Sequence, residues 1–288
     1  MLHRRFPAMG TEIRLVLDAP PSASAFAVIA AAEADVRRLE RLLSRFDPES
    51  QLSRLNRRRS LVVVPELLEL VQLALDARDR TDGRFDPTVH DAVVAAGYDR
   101  TFEQVPRRGA GAAAGARCGG GVRVDATNAT IELDPGVRLD LGGIAKGYAA
   151  DRAAALLGAV GPCLVDAGGD IAVRGRAWPV GVETADGQLT LELPGGGIAT
   201  SGRDRRRWRR GGEEQHHLID PASGRPSRSD LLRVTAVADT AVEAEVLAKT
   251  LFLAGALDAK READARWIPA VLVTQDGRRL LAGGLAAA

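Results

Sequence analysis

The sequence predicts an α+β fold, in which a mixed, mostly antiparallel sheet packs against helices in a single large domain. Two observations favour this class. Short apolar segments are separated by turn residues, and Asp276-Gly277 between two apolar runs is typical of a hairpin. Helical segments occur among these strands without the regular strand–helix alternation of a parallel sheet. With 288 residues, 45% of them hydrophobic, the chain can bury a substantial core.

Helices are predicted where apolar residues recur every three or four positions. Ile29, Val36 and Leu43 share one face of a helix expected over 22–45. A second helix, over 65–80, opens with proline and stops before Asp82-Gly83. A third is expected over 240–254. An alanine-rich helix follows Gly142 and Gly143.

Strands are predicted for the short apolar runs between turns. The expected ranges are 12–17, 122–125, 130–133, 139–141, 163–166, 171–174, 189–193, 198–200, 218–219 and 233–237. Residues 109–121 are rich in glycine and alanine and poor in large apolar groups. We expect them to form a flexible surface insertion within one domain spanning 1–288.

Composition argues against several classes of partner. The 39 basic and 38 acidic side chains nearly cancel, so no global field favours nucleic acid. Cys118 and Cys163 lack metal-ligand spacing and form no disulfide framework. The sequence has no signal-peptide pattern and no apolar run of the roughly 18 residues that a membrane span needs. We therefore expect a cytoplasmic protein without a membrane span.

The segment RLDLGGIAKGYAADRAAALL, residues 138–157, places glycines next to charged side chains. Gly142 and Gly143 allow close approach of a ligand, and the following helix offers free N–H groups to an anion. Lys146 adds a positive charge. A carboxylate such as Asp140 is unfavourable next to a bound phosphate unless it recognises a donor group or a metal. The segment predicts a phosphate site; the alternative is a tight turn with an exposed lysine.

A second cluster is HHLIDPASGRP, residues 216–226. Histidine has the pKa best suited to moving a proton near neutrality, which makes His217 a candidate base. The alternative is a surface histidine beside an Asp-Pro turn. In SRFDP and GRFDP, Phe46 and Phe85 lie in predicted turns, where each could stack on a planar ring or simply pack in the core.

A third cluster is arginine-rich, GIATSGRDRRRWRRGG at residues 197–212. Arginine interleaved with tryptophan can form a nucleic-acid groove. Because the whole chain is nearly neutral, we interpret the segment as a solvated hairpin instead.

Several segments, taken in order, resemble the ApbE family of FAD:protein FMN transferases. They cover about nine tenths of the chain and read AMGT, SRFDPESQLSRLN, GRFDPTV, LDLGGIAKGYAAD, LVDAGGDI, ATSG, HLIDPASGRP and EAEVLAKTLFLAG. The resemblance implies transfer of the FMN half of FAD, with a divalent metal such as Mg²⁺, onto a threonine hydroxyl of a target protein, with release of AMP.

The resemblance also implies roles for residues of this chain. His217 would accept the proton of the incoming threonine. Gly143, through its carbonyl, and Glu245 would bind the metal. The implied FAD contacts are Met9, Phe46, Arg84, Phe85, Asp86, Asp140, Lys146 and Ile219.

One departure concerns the metal. The family's motif on the late helix has an aspartate followed four positions later by a threonine, whereas this chain has Glu245 and Lys249. Glu245 can coordinate Mg²⁺, but the Lys249 ammonium has no lone pair. Either the two residues form an i,i+4 ion pair, or Lys249 partly replaces the cation. Both alternatives predict a weakened metal site.

Three functions are compatible with these motifs. The main hypothesis is FMN transfer to a protein threonine. The alternatives are an FAD-binding protein that has lost transfer, and a metal-dependent FAD pyrophosphatase in which water replaces the threonine.

Overall fold

The computed structural model describes residues 1–109, 115–184 and 187–285. Residues 110–114 of the predicted glycine- and alanine-rich insertion therefore lie outside the described residues. The helices are α1 Ala23–Leu43, α2 Gln51–Arg58, α3 Pro65–Arg80, α4 His90–Ala95, a 3₁₀ turn Phe102–Gln104, α5 Ala145–Gly158, α6 Ala241–Ala254 and α7 Ala256–Ala265.

The strands are β1 Leu2–Ala8, β2 Thr11–Leu17, β3 Ser60–Val62, β4 Arg108–Gly109, β5 Val122–Asp125, β6 Thr130–Leu133, β7 Cys163–Ala167, β8 Ile171–Arg174, β9 Trp178–Thr184, β10 Gly187–Leu193, β11 Gly196–Gly202, β12 Arg207–Arg210, β13 Glu213–His216, β14 Ile219–Asp220, β15 Arg225–Pro226, β16 Leu231–Ala238, β17 Ala270–Thr274 and β18 Arg279–Ala282. In the described residues every strand pair is antiparallel except β12 with β4. The predicted α+β class, with mostly antiparallel sheet, is confirmed.

Contacts between residues divide the chain into two compact units. The first contains residues 1–40, 144–202 and 229–288, and the second contains residues 41–143 and 203–228. The expectation that they form one domain stays a prediction.

The first unit is built on an eight-stranded sheet with the order β1-β2-β7-β8-β11-β16-β17-β18. Helices α5 and α6 pack on this sheet, α5 against β7 and α6 against β11 and β16. Alternate residues of β2 point to opposite faces. Ile13 and Leu15 are fully buried, while Val16 joins a cluster with Trp178 from the β9–β10 hairpin. The sheet is therefore covered on both faces.

A close approach fixes α5 against the start of α6. A Cβ atom on Gly147 would lie 2.5 Å from the carbonyl oxygen of Ala241, so any larger residue would push the helices apart. Asp151 on α5 accepts hydrogen bonds from the N–H groups of Ala241 and Val242, both at 2.9 Å. Its carboxylate thus caps α6 and satisfies two N–H groups that the helix leaves unpaired.

The second unit contains small sheets and short helices. Its sheets are β3-β6-β5, β13-β12-β4 and β14-β15. Ser50 is the N-cap of helix α2, and its side chain accepts a hydrogen bond from the N–H of Ser53 at 3.0 Å. A buried cluster joins Tyr98, Trp208 and Ile219.

The predicted strand over 139–141 is wrong. Leu139 has its backbone N–H and carbonyl bonded to the side-chain amide of Asn56, and the N–H of Asp140 donates to the carbonyl of Pro87. A side chain thus replaces the neighbouring strand as hydrogen-bond partner, and apolar alternation alone does not reveal this.

Other predicted elements are found within a few residues of their expected ends. Helix α3 has the predicted range, and the Asp276-Gly277 turn joins β17 to β18. The arginine-rich segment forms the expected solvated hairpin only in part: residues 197–202 belong to β11, Arg207–Arg210 form β12 of the β12–β13 hairpin, and Trp208 is buried. Among the described residues, no helix has both the length and the apolar character needed to cross a membrane.

Candidate active site

Three charged side chains meet inside the first unit. Lys146 on α5 forms ion pairs through Nζ with Asp170 Oδ2 and with Glu245 Oε1, the latter at 3.2 Å. The side chains of Asp170 and Glu245 are 2% and 5% exposed, and that of Lys146 is 18% exposed. Such buried carboxylates need compensation by a positive charge. The ammonium supplies it.

Local backbone features place these groups. Gly168 and Gly169 have φ values of +74° and +100°, and this turn between β7 and β8 directs Asp170 inward. The N–H of Gly147, in the first turn of α5, donates to Glu245 Oε2 at 2.8 Å. The positive end of α5 therefore holds a carboxylate of α6.

The contacts of Lys146, Asp170 and Glu245 show whether these residues could hold a bound Mg²⁺. Both Glu245 oxygens already accept hydrogen bonds, and the point where the Asp170 and Glu245 carboxylates converge is taken by the Lys146 ammonium. Within residues 1–109, 115–184 and 187–285, no group of three or more His, Cys, Asp or Glu side chains is arranged to hold a metal ion. Lys249 lies half-buried on α6 and offers no lone pair. As it stands, this donor set suits an ammonium and does not fit a resident Mg²⁺.

Met9, an expected FAD contact, also belongs to the first unit. It forms the two-residue turn between β1 and β2 with Gly10, and both have positive φ, +55° and +66°. The N–H of Met9 donates to Glu40 Oε1 at 2.6 Å. Its backbone is thereby held in a conformation that methionine rarely adopts.

In the second unit, Asp140 is held by an arginine. Its Oδ2 lies 2.9 Å from Arg45 Nε, and its Oδ1 accepts the N–H of Gly142 at 2.7 Å. The Arg45 guanidinium also lies over the rings of Phe46 and Tyr98, 4.1 and 4.5 Å from their centroids. Gly143 is buried just after this turn. Arg45 thus links an expected pyrophosphate contact to an expected ring contact.

The GRFDP segment is held by hydrogen bonds to the side chains and backbone of nearby threonines. Asp86 accepts hydrogen bonds from the N–H and the hydroxyl of Thr88, at 2.8 and 2.7 Å. The side chain of Phe85 is buried, whereas Arg84 is partly exposed. Phe85 could stack on a planar ring or pack in the core, and in the structure its side chain is packed in the core.

The adjacent histidines differ in environment. His216 is 1% exposed; its Nε2 donates to the carbonyl of Ser227 at 3.0 Å, and its Nδ1 accepts the N–H of Leu218 at 3.3 Å. Burial lowers the pKa of His216 to about 4, which keeps the ring neutral. His217 is half-buried. Of the two, His216 is therefore the one whose ring is held neutral and bonded to backbone groups on both nitrogens.

The structure brings some expected site residues together. Lys146 contacts Glu245 directly in the first unit, and Ile219 and Phe46 join one apolar cluster in the second. Sequence reasoning assigned no role to Asp170 or Arg45. Asp170 lies in the motif LVDAGGDI, and Arg45 lies in SRFDP. The sequence signal for Asp170 was a charged residue next to two glycines, and the signal for Arg45 was a charged residue next to an aromatic one.

Comparison with known proteins identifies the family. The model of the ApbE family matches residues 9–272. The chain belongs to the ApbE family. An FAD:protein FMN transferase of Rhodobacter capsulatus is 32% identical over 94% of this chain and 55% of that protein, so the chain spans about half the length of this relative. One of Salmonella typhimurium is 31% identical over 82% of this chain and 73% of its own length.

A solved member of the ApbE family has the same fold. The crystal structure of the ApbE protein from Thermotoga maritima superposes with a TM-score of 0.87 and 26% identity, over 98% of this chain and 96% of that one. This agreement supports the α+β architecture over its whole described length.

Proposed function

We propose that this chain transfers the FMN half of FAD to a threonine hydroxyl of an acceptor protein and releases AMP. The observation that carries this proposal is the family match over residues 9–272, together with relatives named FAD:protein FMN transferase. The same proposal includes the expected FAD contacts, which are Met9, Phe46, Arg84, Phe85, Asp86, Asp140, Lys146 and Ile219.

His217 is the proposed proton acceptor for the threonine hydroxyl. The structure supports this choice because the neighbouring His216 is buried, with both ring nitrogens bonded to backbone groups. A positioned base of this kind typically contributes about 10²–10⁴-fold to a rate. We therefore expect His217→Ala to lower transfer by that factor while FAD still binds.

Lys146 is proposed to contact the pyrophosphate with its ammonium. Asp170 and Glu245 hold that ammonium from opposite parts of the fold, one at the β7–β8 turn and the other on α6. A cation held in place before substrate arrives can stabilise charge on the leaving phosphate without reorganising.

We further propose that divalent metal binding is weak in this chain. The Lys146 ammonium lies where the two carboxylates converge, and Lys249 stands where the family has a threonine. Bound Mg²⁺ would supply charge neutralisation at the phosphates, whereas the Lys146 ammonium also compensates Asp170 and Glu245.

One assay tests the function. The pure protein is incubated with FAD, Mg²⁺ and a threonine-bearing acceptor domain, and flavin on the acceptor is detected by its fluorescence in a denaturing gel. Labelled acceptor supports transfer, and the same labelling by His217→Ala at full rate would overturn the role of that residue. Free FMN and AMP in place of labelled acceptor would indicate a pyrophosphatase. Bound FAD that stays intact would indicate a binding protein.

A further inference from the structure

A segment without regular secondary structure carries Asp140, an expected FAD contact, in the second unit. Residues 137–141 form neither a helix nor a strand, and the two glycines of the expected phosphate site follow at 142–143. In this described part of the chain, the backbone therefore lacks the ladder of hydrogen bonds that a sheet would provide. The position of the segment depends on the individual hydrogen bonds that its backbone groups make to other parts of the fold.

The side-chain amide of Asn56 holds both backbone groups of Leu139, the residue before Asp140. Asn56 Oδ1 accepts the N–H of Leu139 at 2.8 Å, and Asn56 Nδ2 donates to the carbonyl of Leu139 at 2.9 Å. An amide can make both bonds because it offers a donor and an acceptor, whereas a carboxylate offers only acceptors. The next N–H, that of Asp140, donates to the carbonyl of Pro87 at 2.8 Å. Two consecutive residues are thus fixed from two different segments.

Helix α2, which carries Asn56, also supports the loop before it. The hydroxyl of Ser50, the N-cap of α2, donates to the carbonyl of Ser44 at 2.6 Å. Ser44 lies two residues before Phe46, an expected flavin contact. Leu55 is fully buried, which anchors the helix. Helix α2 therefore connects two segments with expected FAD contacts that are far apart in the chain.

We propose that Asn56 is a positioning residue for FMN transfer, an inference that rests on the proposed function. Its amide keeps Asp140 in place relative to the loop that carries Phe46. Asp140 Oδ1 in turn accepts the N–H of Gly142 at 2.7 Å, so the glycine turn is held as well. Because expected FAD contacts lie on both segments, a shift of one against the other would misalign the substrate. A displacement of about 1 Å, even far from the reacting atoms, can lower a rate about 10²-fold.

Gln51 provides a matched control on the same helix. Its Oε1 accepts the N–H of Val64 at 2.9 Å, so it too joins α2 to the backbone of another segment through a side-chain amide. Val64 is the N-cap of α3 and belongs to none of the motifs with expected FAD contacts. Gln51→Ala therefore removes a comparable hydrogen bond without releasing Asp140.

Three measurements on the full chain test the inference. FAD affinity is measured by quenching of flavin fluorescence, the transfer rate at saturating FAD by labelling of the acceptor domain, and stability by urea denaturation. We expect Asn56→Ala to bind FAD about tenfold more weakly and to transfer FMN about 10–100-fold more slowly. Gln51→Ala should keep both values within about twofold of the wild type, although both variants lose stability. A purely structural role of Asn56 would lower stability alone.

A second variant separates positioning from helix stability. Asn56→Leu removes both hydrogen bonds to Leu139 but introduces a better helix former of similar size and without charge. It should show the same two losses as Asn56→Ala while α2 itself is favoured. If Asn56→Ala does not fold, Asn56→Leu is compared with Gln51→Ala in its place.

The outcomes separate the inference from the proposed function. Wild-type affinity and transfer rate in a folded Asn56 variant would overturn the inference. Equal losses in Gln51→Ala would overturn it too, because α2 would then act only as a general support. A wild-type chain that binds FAD but labels no acceptor would overturn the proposed function, and the difference in FAD affinity between the variants would still decide the role of Asn56.

Discussion

Replacing Lys146 by methionine removes the charge that compensates two buried carboxylates. At the observed 3.2 Å, and with an effective dielectric constant of about 20, the attraction between Lys146 Nζ and Glu245 Oε1 is about 5 kcal/mol. Desolvation of the ammonium offsets part of it. Breaking a buried pair by removing one partner typically costs about 3–5 kcal/mol, because the remaining charge stays buried. We expect a loss of that size in the free energy of unfolding.

Urea denaturation of the full chain, with and without Mg²⁺ or Mn²⁺, measures this loss. A divalent cation that binds the freed carboxylates should stabilise Lys146→Met more than the wild type, since binding to the folded state adds to stability. Lys260→Met is the control, because Lys260 and Asp264 form an exposed i,i+4 pair, and it should lose far less. A Lys146→Met protein within about 1 kcal/mol of the wild type would refute the argument that the ammonium compensates Asp170 and Glu245.

Three further predictions address neighbouring features. Replacing Lys249 by threonine restores an oxygen ligand and removes a positive charge, so Mn²⁺ affinity measured by electron paramagnetic resonance should rise about tenfold; no change would count against the weakened site. His216, with its pKa lowered by burial from 6.5 to about 4, binds fewer protons folded than unfolded, so its contribution to stability should fall by about 3 kcal/mol as the pH drops through that window. Denaturation of His216→Gln at matched pH values should lack this component. Asp151→Ala leaves two N–H groups of α6 without their cap and should cost about 2 kcal/mol, whereas Asp151→Asn, which retains an acceptor, should cost less.

Local signals predicted much of the fold. The proline at the start of α3 and the Asp82-Gly83 stop marked both ends of that helix, and the Asp-Gly turn marked the final hairpin. These features depend on neighbouring residues, so they can be recognised in one sequence. The strand expected over 139–141 failed because Asn56, distant in the chain, takes its backbone hydrogen bonds.

The candidate site shows the same contrast between local signals and contacts between distant residues. Local motifs pointed to the candidate residues, but they did not predict which residues Lys146 contacts. Sequence reasoning considered Lys249 as a substitute cation near Glu245, whereas the structure places the Lys146 ammonium on that carboxylate. The contact joins residues 99 positions apart and depends on the packing of α5 against α6 around Gly147. No local pattern encodes such a distance.

The order of strands in the large sheet has a consequence for biosynthesis. Strand β2 pairs with β7, although about 145 residues separate them in the chain. At about 5–20 residues per second, a ribosome would complete β7 roughly 7–30 s after β2. During that interval the nascent β1–β2 hairpin exposes an unpaired edge, which another chain can occupy. Yield in cells should therefore depend on chaperones that shield this edge until translation reaches residue 167.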